Sequence, residues 1–358
     1  MRAGLVVYGS LDTLSGGYLY DRRLVHHLRA AGDEVAVISL PWRNYGRHLL
    51  QNASRSLWRA LRSSSFDLLL QDELNHPSLF LLNPRLCRAV DYPVVSIVHH
   101  LRSSEQHPPR LLPLYRRIER AYLQSVDGYV FNSETTQTAV VDLAGGGKPA
   151  VVAYPAADHI GPAAMPAQQA GDPQVPLRLL FIGNLIPRKG LHQLLAALRQ
   201  LDPTYWRLSV VGDGHVDSVY ARQMQALAQQ SAIAQAITWH GRLSNAELRQ
   251  EFARHDLLVV PSQYEGFGIV YLEAMAYGLP AIATTAGAAG EIISDGVNGF
   301  LVAPDDIQRL AARLRLLQAD RSTLQTMSRA ARARYEQAPT WDQSMSHVRE
   351  FLLKMVAQ

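Results

Sequence analysis

The sequence predicts an α/β fold built from two Rossmann-like units in tandem, and three observations carry that expectation. Short runs of β-branched residues and leucine recur in both halves, each followed by a glycine-containing loop and a run with helical spacing, the rhythm of parallel βαβ units. The 358 residues exceed one ordinary domain of roughly 100–200 residues. Near the middle, Gly161 to Pro173 is rich in Pro, Gly and Ala, the composition of a linker. The expected division is a first unit at 1–165, a linker at 166–176, a second unit at 177–340, and a closing helix at 341–358 that packs back on the first unit.

Composition narrows the function classes. Hydrophobic content of 47% with 18% charged residues fills two cores. The net charge of +4 is mild, and Lys and Arg are spread over both halves, which argues against a nucleic-acid tail or arm. The single cysteine, Cys87, cannot form an internal disulfide, so a reducing, cytoplasmic setting is expected. The apolar run Gly4–Tyr8 is too short for a signal peptide and reads as a first buried strand. No apolar stretch approaches the ~20 residues of a membrane-spanning helix.

In the first half, strand Gly4–Tyr8 leads through a loop to Gly16-Gly17 and a helix ending at Gly32, and Val35–Leu40 is the next strand. Gly16-Gly17 suits either close approach of a phosphate or a loop needing glycine torsions. Between Trp42 and Arg62 stand five arginines and no acid, with Leu50, Ala53, Leu57 and Leu61 at helical spacing. That pattern fits a core-packing helix with a basic outer face, and also a peripheral contact with an anionic membrane. Phe66–Gln71 and Val94–Val98 are further strands, the second running into His99-His100. Histidines past a strand's carboxyl end sit where open α/β sheets bind ligands. Adjacent His99 and His100 point to opposite faces and no ligand partner is placed to help His107, so a polar substrate contact is expected and zinc is not. Leu111–Ser125, Gly128–Ser133 and Ala150–Tyr154 complete this half. Gly145–Pro149 fails as a phosphate loop, since Pro149 stands where Ser or Thr should bind magnesium.

The second half restarts the pattern. Strand Leu177–Ile182 is followed by the loop Gly183–Gly190, which carries the adjacent cations Arg188 and Lys189, and by helix Leu191–Leu201. Trp206–Val211, Ile237–Gly241 and Ala281–Thr284 read as strands, Ser244–Glu247 as a capping box, 306–335 as helical, and Trp341–Val356 as the last helix. Between them, Asp256–Val260 is a strand ended by Pro261-Ser262, and Glu265 to Glu273 runs through two glycines into a helix. Backbone amides at such a start attract anions, and with a start near Gly268, Glu273 lies about five residues, roughly 7.5 Å, along the axis. Taken alone, this also fits a buried helix with one capping and one solvated carboxylate.

The second half resembles glycosyltransferase family 4, the retaining enzymes of GT-B architecture, in which two Rossmann-like domains face across a cleft. The resemblance rests on Gly183-x5-Lys189-Gly190, Val211–Gly214, Pro261-Ser262-x2-Glu265-Gly266-Phe267-Gly268-x4-Glu273-Ala274, Tyr277-Gly278-x-Pro280, Gly290-Glu291-Ile292 and Asp295-Gly296-x-Asn298-Gly299, in the family's order. The first half matches more loosely, through Gly16-Gly17, the strand ending at His99, and Asn132-Ser133. The resemblance implies a hexosyltransferase using a nucleoside-diphosphate sugar, UDP- or GDP-linked, as co-substrate. It implies an acceptor hydroxyl, left open among a lipid, a glycan and a small metabolite. It assigns Glu265, Lys189, Arg188 and His99 to the transfer itself. Gly16, Gly17, Gly183, Asn184, Gly212, Gly266, Phe267, Gly268, Ile269 and Glu273 are assigned to donor binding, with Glu273 on the ribose. Two departures stand out. The family usually has Arg where this chain has Asn184, and Pro-Asn-Gly where it has Pro155-Ala156-Ala157. Arg188 is expected to replace the missing cation.

No Asp-x-Asp occurs in the chain, so no metal cofactor is expected and the cations are left to neutralise the leaving diphosphate. Three rivals remain on the sequence: a glycosidase using the paired carboxylates, a non-hydrolysing sugar-nucleotide epimerase of the same architecture, and a non-catalytic nucleotide-binding scaffold.

Overall fold

The computed structural model describes residues 1–161, 174–230 and 232–358. Two compact units emerge, Met1–Pro155 with Pro339–Gln358, and Ala156–Ala338. Residues 156–161 thus go with the second unit, ahead of the boundary expected at 165. Their ties explain it: Tyr277 Oη donates to the Ile160 carbonyl at 3.3 Å, and Arg249 Nη2 to that of His159 at 3.0 Å. The expected linker at 166–176 lies, but for 174–176, outside the described residues.

The first unit holds strands β1 (Arg2–Tyr8), β2 (Glu34–Leu40), β3 (Leu68–Asp72), β4 (Val94–Val98), β5 (Gly128–Phe131) and β6 (Ala150–Val152). They form one parallel sheet in the order β2-β1-β3-β4-β5-β6, with Ala3 opposite Leu68, Leu69 opposite Val94 and Val95 opposite Gly128. Strands β3, β4 and β5 are buried along their whole length, which is why they read as continuous apolar runs instead of alternating ones. The closing helix Trp341–Val356 starts at a capping box made by Thr340 and Gln343. It buries Met345, Val348 and Leu352, each contributing roughly 1.5–3 kcal/mol, and Arg349 Nε donates to Asp33 Oδ2 at 2.7 Å. Asp33 also holds the N-terminal ammonium at 3.0 Å, so both chain ends of this unit meet at one carboxylate.

The basic stretch departs from the single helix that its spacing suggests. Ser54 is extended and caps a new helix, Arg55–Arg62, by accepting from the Leu57 amide. Leu57 and Leu61 are buried, whereas Leu50 and Trp42 are exposed. Similarly, 306–335 is two helices, Ile307–Ala319 and Arg321–Glu336, because Asp320 leaves helical torsions to cap the second.

The second unit holds β7 (Leu177–Ile182), β8 (Trp206–Val211), β9 (Ile237–Gly241), β10 (Leu257–Val259), β11 (Ala281–Thr284) and β12 (Gly299–Val302). Their order is β12-β11-β10-β7-β8-β9, all parallel. The chain builds outward from β7 to one side, then returns to build from β10 on the other. The sheet therefore reverses direction between β7 and β10, and ligands of such sheets bind beyond the strands' carboxyl ends at that reversal.

Candidate active site

The two loops at the reversal of the second sheet are Gly183–Gly190, after β7, and Val260–Gly268, after β10. Pairing of Leu257 with Leu179 and Leu258 with Leu180 brings them side by side. Their backbones then touch. Gly190 has φ of +72°, and a Cβ there would fall 2.0 Å from the Pro261 carbonyl oxygen, so only glycine fits. The Gln263 amide donates to the Arg188 carbonyl at 2.8 Å, and Arg188 Nη1 to the Tyr264 carbonyl at 2.8 Å. Glu265 is pinned from the other side by Gly287: the two form a parallel bridge, and the Ala288 amide donates to the Glu265 carbonyl at 2.8 Å.

The Glu265 side chain is buried and collects three groups. Lys189 Nζ donates to Oε1, Ser262 Oγ donates to the same oxygen at 2.6 Å, and Arg188 Nη1 lies 3.9 Å from Oε2. Burial pushes the carboxyl up, but the Lys189 and Arg188 charges, with the Lys189 and Ser262 hydrogen bonds, outweigh it and hold the group down at about 2. Lys189 is lowered by its own burial, with the Glu265 charge opposing that shift. Gly183 makes room for the lysine: a Cβ there would meet the Lys189 stem at 3.3 Å. Gly212 fits as closely, since its Cβ would fall 1.9 Å from the Gly183 carbonyl oxygen. Asn184 turns the loop, its carbonyl accepting from the Ile186 amide at 2.8 Å.

The helix after the second loop is Ile269–Met275, opened by Gly268 at φ +91°. Glu273 is its fifth residue. The amides of Ile269 and Val270, in the first turn, have no acceptor within the helix. A helix of seven residues carries little macrodipole, so any anion held here is held by those amides and the neighbouring cations. Gly268 also seats the Tyr271 ring, whose Oη donates to the Val260 carbonyl at 2.9 Å. Phe267 is buried, and Gly266 joins it to Glu265. Glu273 pairs with His159, Nε2 to Oε1 at 3.0 Å, a partner that sequence spacing gave no sign of.

The remaining predicted residues, Gly16, Gly17 and His99, belong to the first unit. Torsion does not require Gly17, but space does: a Cβ there would stand 2.9 Å from His99 Cδ2, so the glycine lets the imidazole lie against the helix Gly16–Ala30. His99 Nε2 is 3.0 Å from Asp21 Oδ1. His100 turns the other way, to Glu105 at 3.1 Å, and His107 Nε2 reaches the Arg102 carbonyl at 2.8 Å, so the three histidines do not converge.

Behind His99 lies a buried set that sequence reading missed. Among the described residues, Asp21, Asp72 and His99 bring one ligand-type atom each within 4.8 Å of one another, as do Glu73, His76 and Glu119. Each set has a countercharge at hand, so neither is assigned as a metal centre: the His99 imidazole is a member of the first, and the Arg102 guanidinium, outside the second, acts on Glu73. Burial raises Glu73 to about 8 and Glu119 to about 7, and lowers His76 to about 4. Only Asp72 and Glu73, at the carboxyl end of β3, could have been placed from sequence.

Comparison with known proteins agrees with this geometry. The family described as Glycosyltransferase Family 4 matches residues 16–159, and that described as Glycosyl transferases group 1 matches 167–334. Glycogen synthase of Mycobacterium tuberculosis is 29% identical over 271 residues, which is 74% of this chain and 63% of that protein, so the chain spans under two thirds of that relative. The sulfoquinovosyl transferase of Arabidopsis thaliana is 33% identical over 169 residues, 46% of this chain and 31% of that one. Among solved structures, sucrose-phosphate synthase from Thermosynechococcus elongatus superposes with a TM-score of 0.84 at 20% identity, covering 99% of each chain. HepE from Anabaena, solved with UDP and glucose, gives 0.80 at 20%, covering 99% of this chain and 100% of that one. Two parallel six-stranded sheets, each reversing where its ligand-type residues gather, are the GT-B fold. With one sequence family accounting for the first unit and the other for the second, the chain belongs to glycosyltransferase family 4.

Proposed function

We propose that the chain is a retaining, metal-independent glycosyltransferase that moves a sugar from a UDP- or GDP-linked donor to a hydroxyl acceptor. The observation that carries the reading is the convergence of Lys189, Arg188 and Glu265 where the second sheet reverses. Two cations facing one carboxylate leave a net positive charge beside first-turn amides that have no acceptor within the helix, which suits a diphosphate. Arg188 reaches Glu265 from four residues beyond Asn184, so it supplies the cation that the family's usual arginine would.

Glu265 argues for same-face transfer. A carboxylate of pKa about 2 is a poor base, whereas a departing phosphate, with a second pKa near 6, is a better one. The anomeric carbon–phosphate oxygen bond breaks, the acceptor oxygen bonds the same face, and the acceptor proton passes to a phosphate oxygen. Glu265 orients the sugar and stays ionised. Lys189 and Arg188 neutralise the diphosphate as its charge grows. Glu273 accepts from the ribose hydroxyls, and His99 contacts substrate from the first unit. The turns at Gly212 and His240–Arg242 face the base.

Five arginines beside exposed Trp42 and Leu50 favour a peripheral contact with anionic lipid, which sedimentation with anionic against neutral vesicles tests. Among the described residues no helix is long and apolar enough to cross a membrane. Thermal stabilisation by UDP-, GDP- and ADP-sugars, followed by a transfer assay on the stabilising donor, tests the main reading. Stabilisation by none would overturn it, and donor isomerisation without acceptor would replace transfer by epimerisation.

A further inference from the structure

We propose that Asp21 is the positioning residue for His99, fixing the imidazole through Nε2 as a cation so that its Nδ1–H is the edge offered to a substrate oxygen. The inference rests on the reading of His99 as a substrate contact. Asp21 is fully buried, and among the described residues His99 is the only hydrogen-bond partner of its side chain, at 3.0 Å. Its second oxygen, Oδ2, is buried with no hydrogen-bond partner. A buried carboxylate with one donor is costly unless that donor is charged.

The ring has no freedom to leave this pairing. Gly17 lets it lie on the helix, Tyr20 meets it edge-on with centroids 5.3 Å apart, and Asn132 Nδ2 donates to the His99 carbonyl at 2.8 Å. Nδ1 makes no hydrogen bond to any described residue, so the ring's outer edge is uncommitted. The groups facing the imidazole are Asp21 and the Tyr20 phenol ring from the helix, and Asp72 and Glu73 from the end of β3. Arg102, farther along the His99 loop, acts on Glu73. Burial disfavours the imidazolium, but the Asp21 charge and hydrogen bond, followed by the Asp72 and Glu73 charges, lift it to about 9. While protonated, Nδ1 is a donor; once neutral, with Nε2–H kept by Asp21, it becomes an acceptor and can no longer donate to a phosphate oxygen.

The test is NMR of the full chain with labelled histidine, using His99→Gln to assign the signal, on the native protein and Asp21→Asn. His99 should titrate near 9 in the native chain and at least two units lower in D21N. In the transfer assay, the alkaline limb of the D21N pH–rate profile should move to near neutrality, with a loss about tenfold greater at pH 8 than at pH 6. A native His99 titrating at or below its ordinary 6.5 overturns the proposal without any variant, which covers the case of D21N failing to fold. So does a D21N rate reduced by the same factor at every pH, the mark of a structural role alone. If the native chain turns over no donor, the glycosyltransferase reading falls while the titration still decides the pairing.

Discussion

Lys189 and Glu265, 76 residues apart in sequence, meet as a buried ion pair at the reversal of the second sheet. Each is the other's main countercharge, and the carboxylate stays ionised at any working pH because of it. The lysine is therefore held in place by a group that, on the proposed reading, a diphosphate would share. Replacing Lys189 by Ala strands a buried carboxylate and, if that reading holds, takes a charge from the leaving group. Turnover should fall about 10²–10³-fold, the usual cost of one transition-state donor. The fold should lose on the order of 3 kcal/mol. The double variant K189A/E265Q should recover most of that stability and none of the activity. Denaturant melts and single-turnover rates of the two variants check both halves, and full activity in K189A would remove Lys189 from the site.

Glu265 gives a pH prediction of definite sign. Its folded pKa lies below the ordinary 4.5, so its contribution to stability is present above about 4.5 and lost as pH falls through about 2. The pH–rate profile should accordingly show no acid limb from Glu265 between pH 4 and 7. E265Q should lower transfer at every pH in that range by a constant factor. An E265Q profile that changes shape would mean the carboxylate exchanges a proton during turnover, contrary to an orienting role.

The second unit and the closing helix were legible in the sequence because strand, loop and glycine patterns are local. Strands Leu177–Ile182, Trp206–Val211 and Ala281–Thr284 and the helix Trp341–Val356 fall where their apolar runs and caps place them. Lys189 and Glu265 were legible as ends of glycine-bounded loops. What stayed hidden depends on contacts between distant segments. Nothing near Asp21 announces a partner 78 residues on, and His159 stands 114 residues before Glu273. Gly17 was visible as a glycine, but its reason, the ring of His99, was not. The breaks at Ser54 and Asp320 were missed because a good cap inside a helical-looking run is decided by whether the chain must turn there, which packing determines.

The acids buried behind His99 should make the first unit less stable as pH rises. Glu73 and Glu119 have folded pKa values raised to about 8 and 7, so their contribution is full below about 4.5 and disappears as pH climbs through those values. His99, raised to about 9, acts in the same direction above its ordinary 6.5. His76, lowered to about 4, opposes them only on the acid side. Melting temperature should therefore decline from about pH 6 to pH 8.5. Glu119→Gln, which keeps an acceptor for the Ser103 amide at 3.2 Å, should flatten that decline. The variant should exceed the native protein by roughly 1 kcal/mol at pH 8.5. An unchanged slope in E119Q would show that the carboxyl pair does not set the alkaline stability.

His159 and Glu273 provide the sharpest separation of binding from chemistry. The imidazole holds Oε1 at 3.0 Å, so on the proposed reading Oε2 is the oxygen offered to a ligand hydroxyl. His159→Ala should leave the carboxylate present but unoriented, raising the donor KM several-fold with kcat little changed. Glu273→Gln keeps the size and removes the charge. Losing one charge-assisted hydrogen bond of about 1.5–3 kcal/mol should weaken nucleoside diphosphate binding about 10–100-fold. Calorimetry with UDP or GDP alone isolates this effect, because the ligand then carries no sugar for Glu265 to contact. If E273Q bound the free nucleotide as tightly as the native chain while losing transfer, Glu273 would act on the sugar and the division of labour between the two glutamates would have to be reversed.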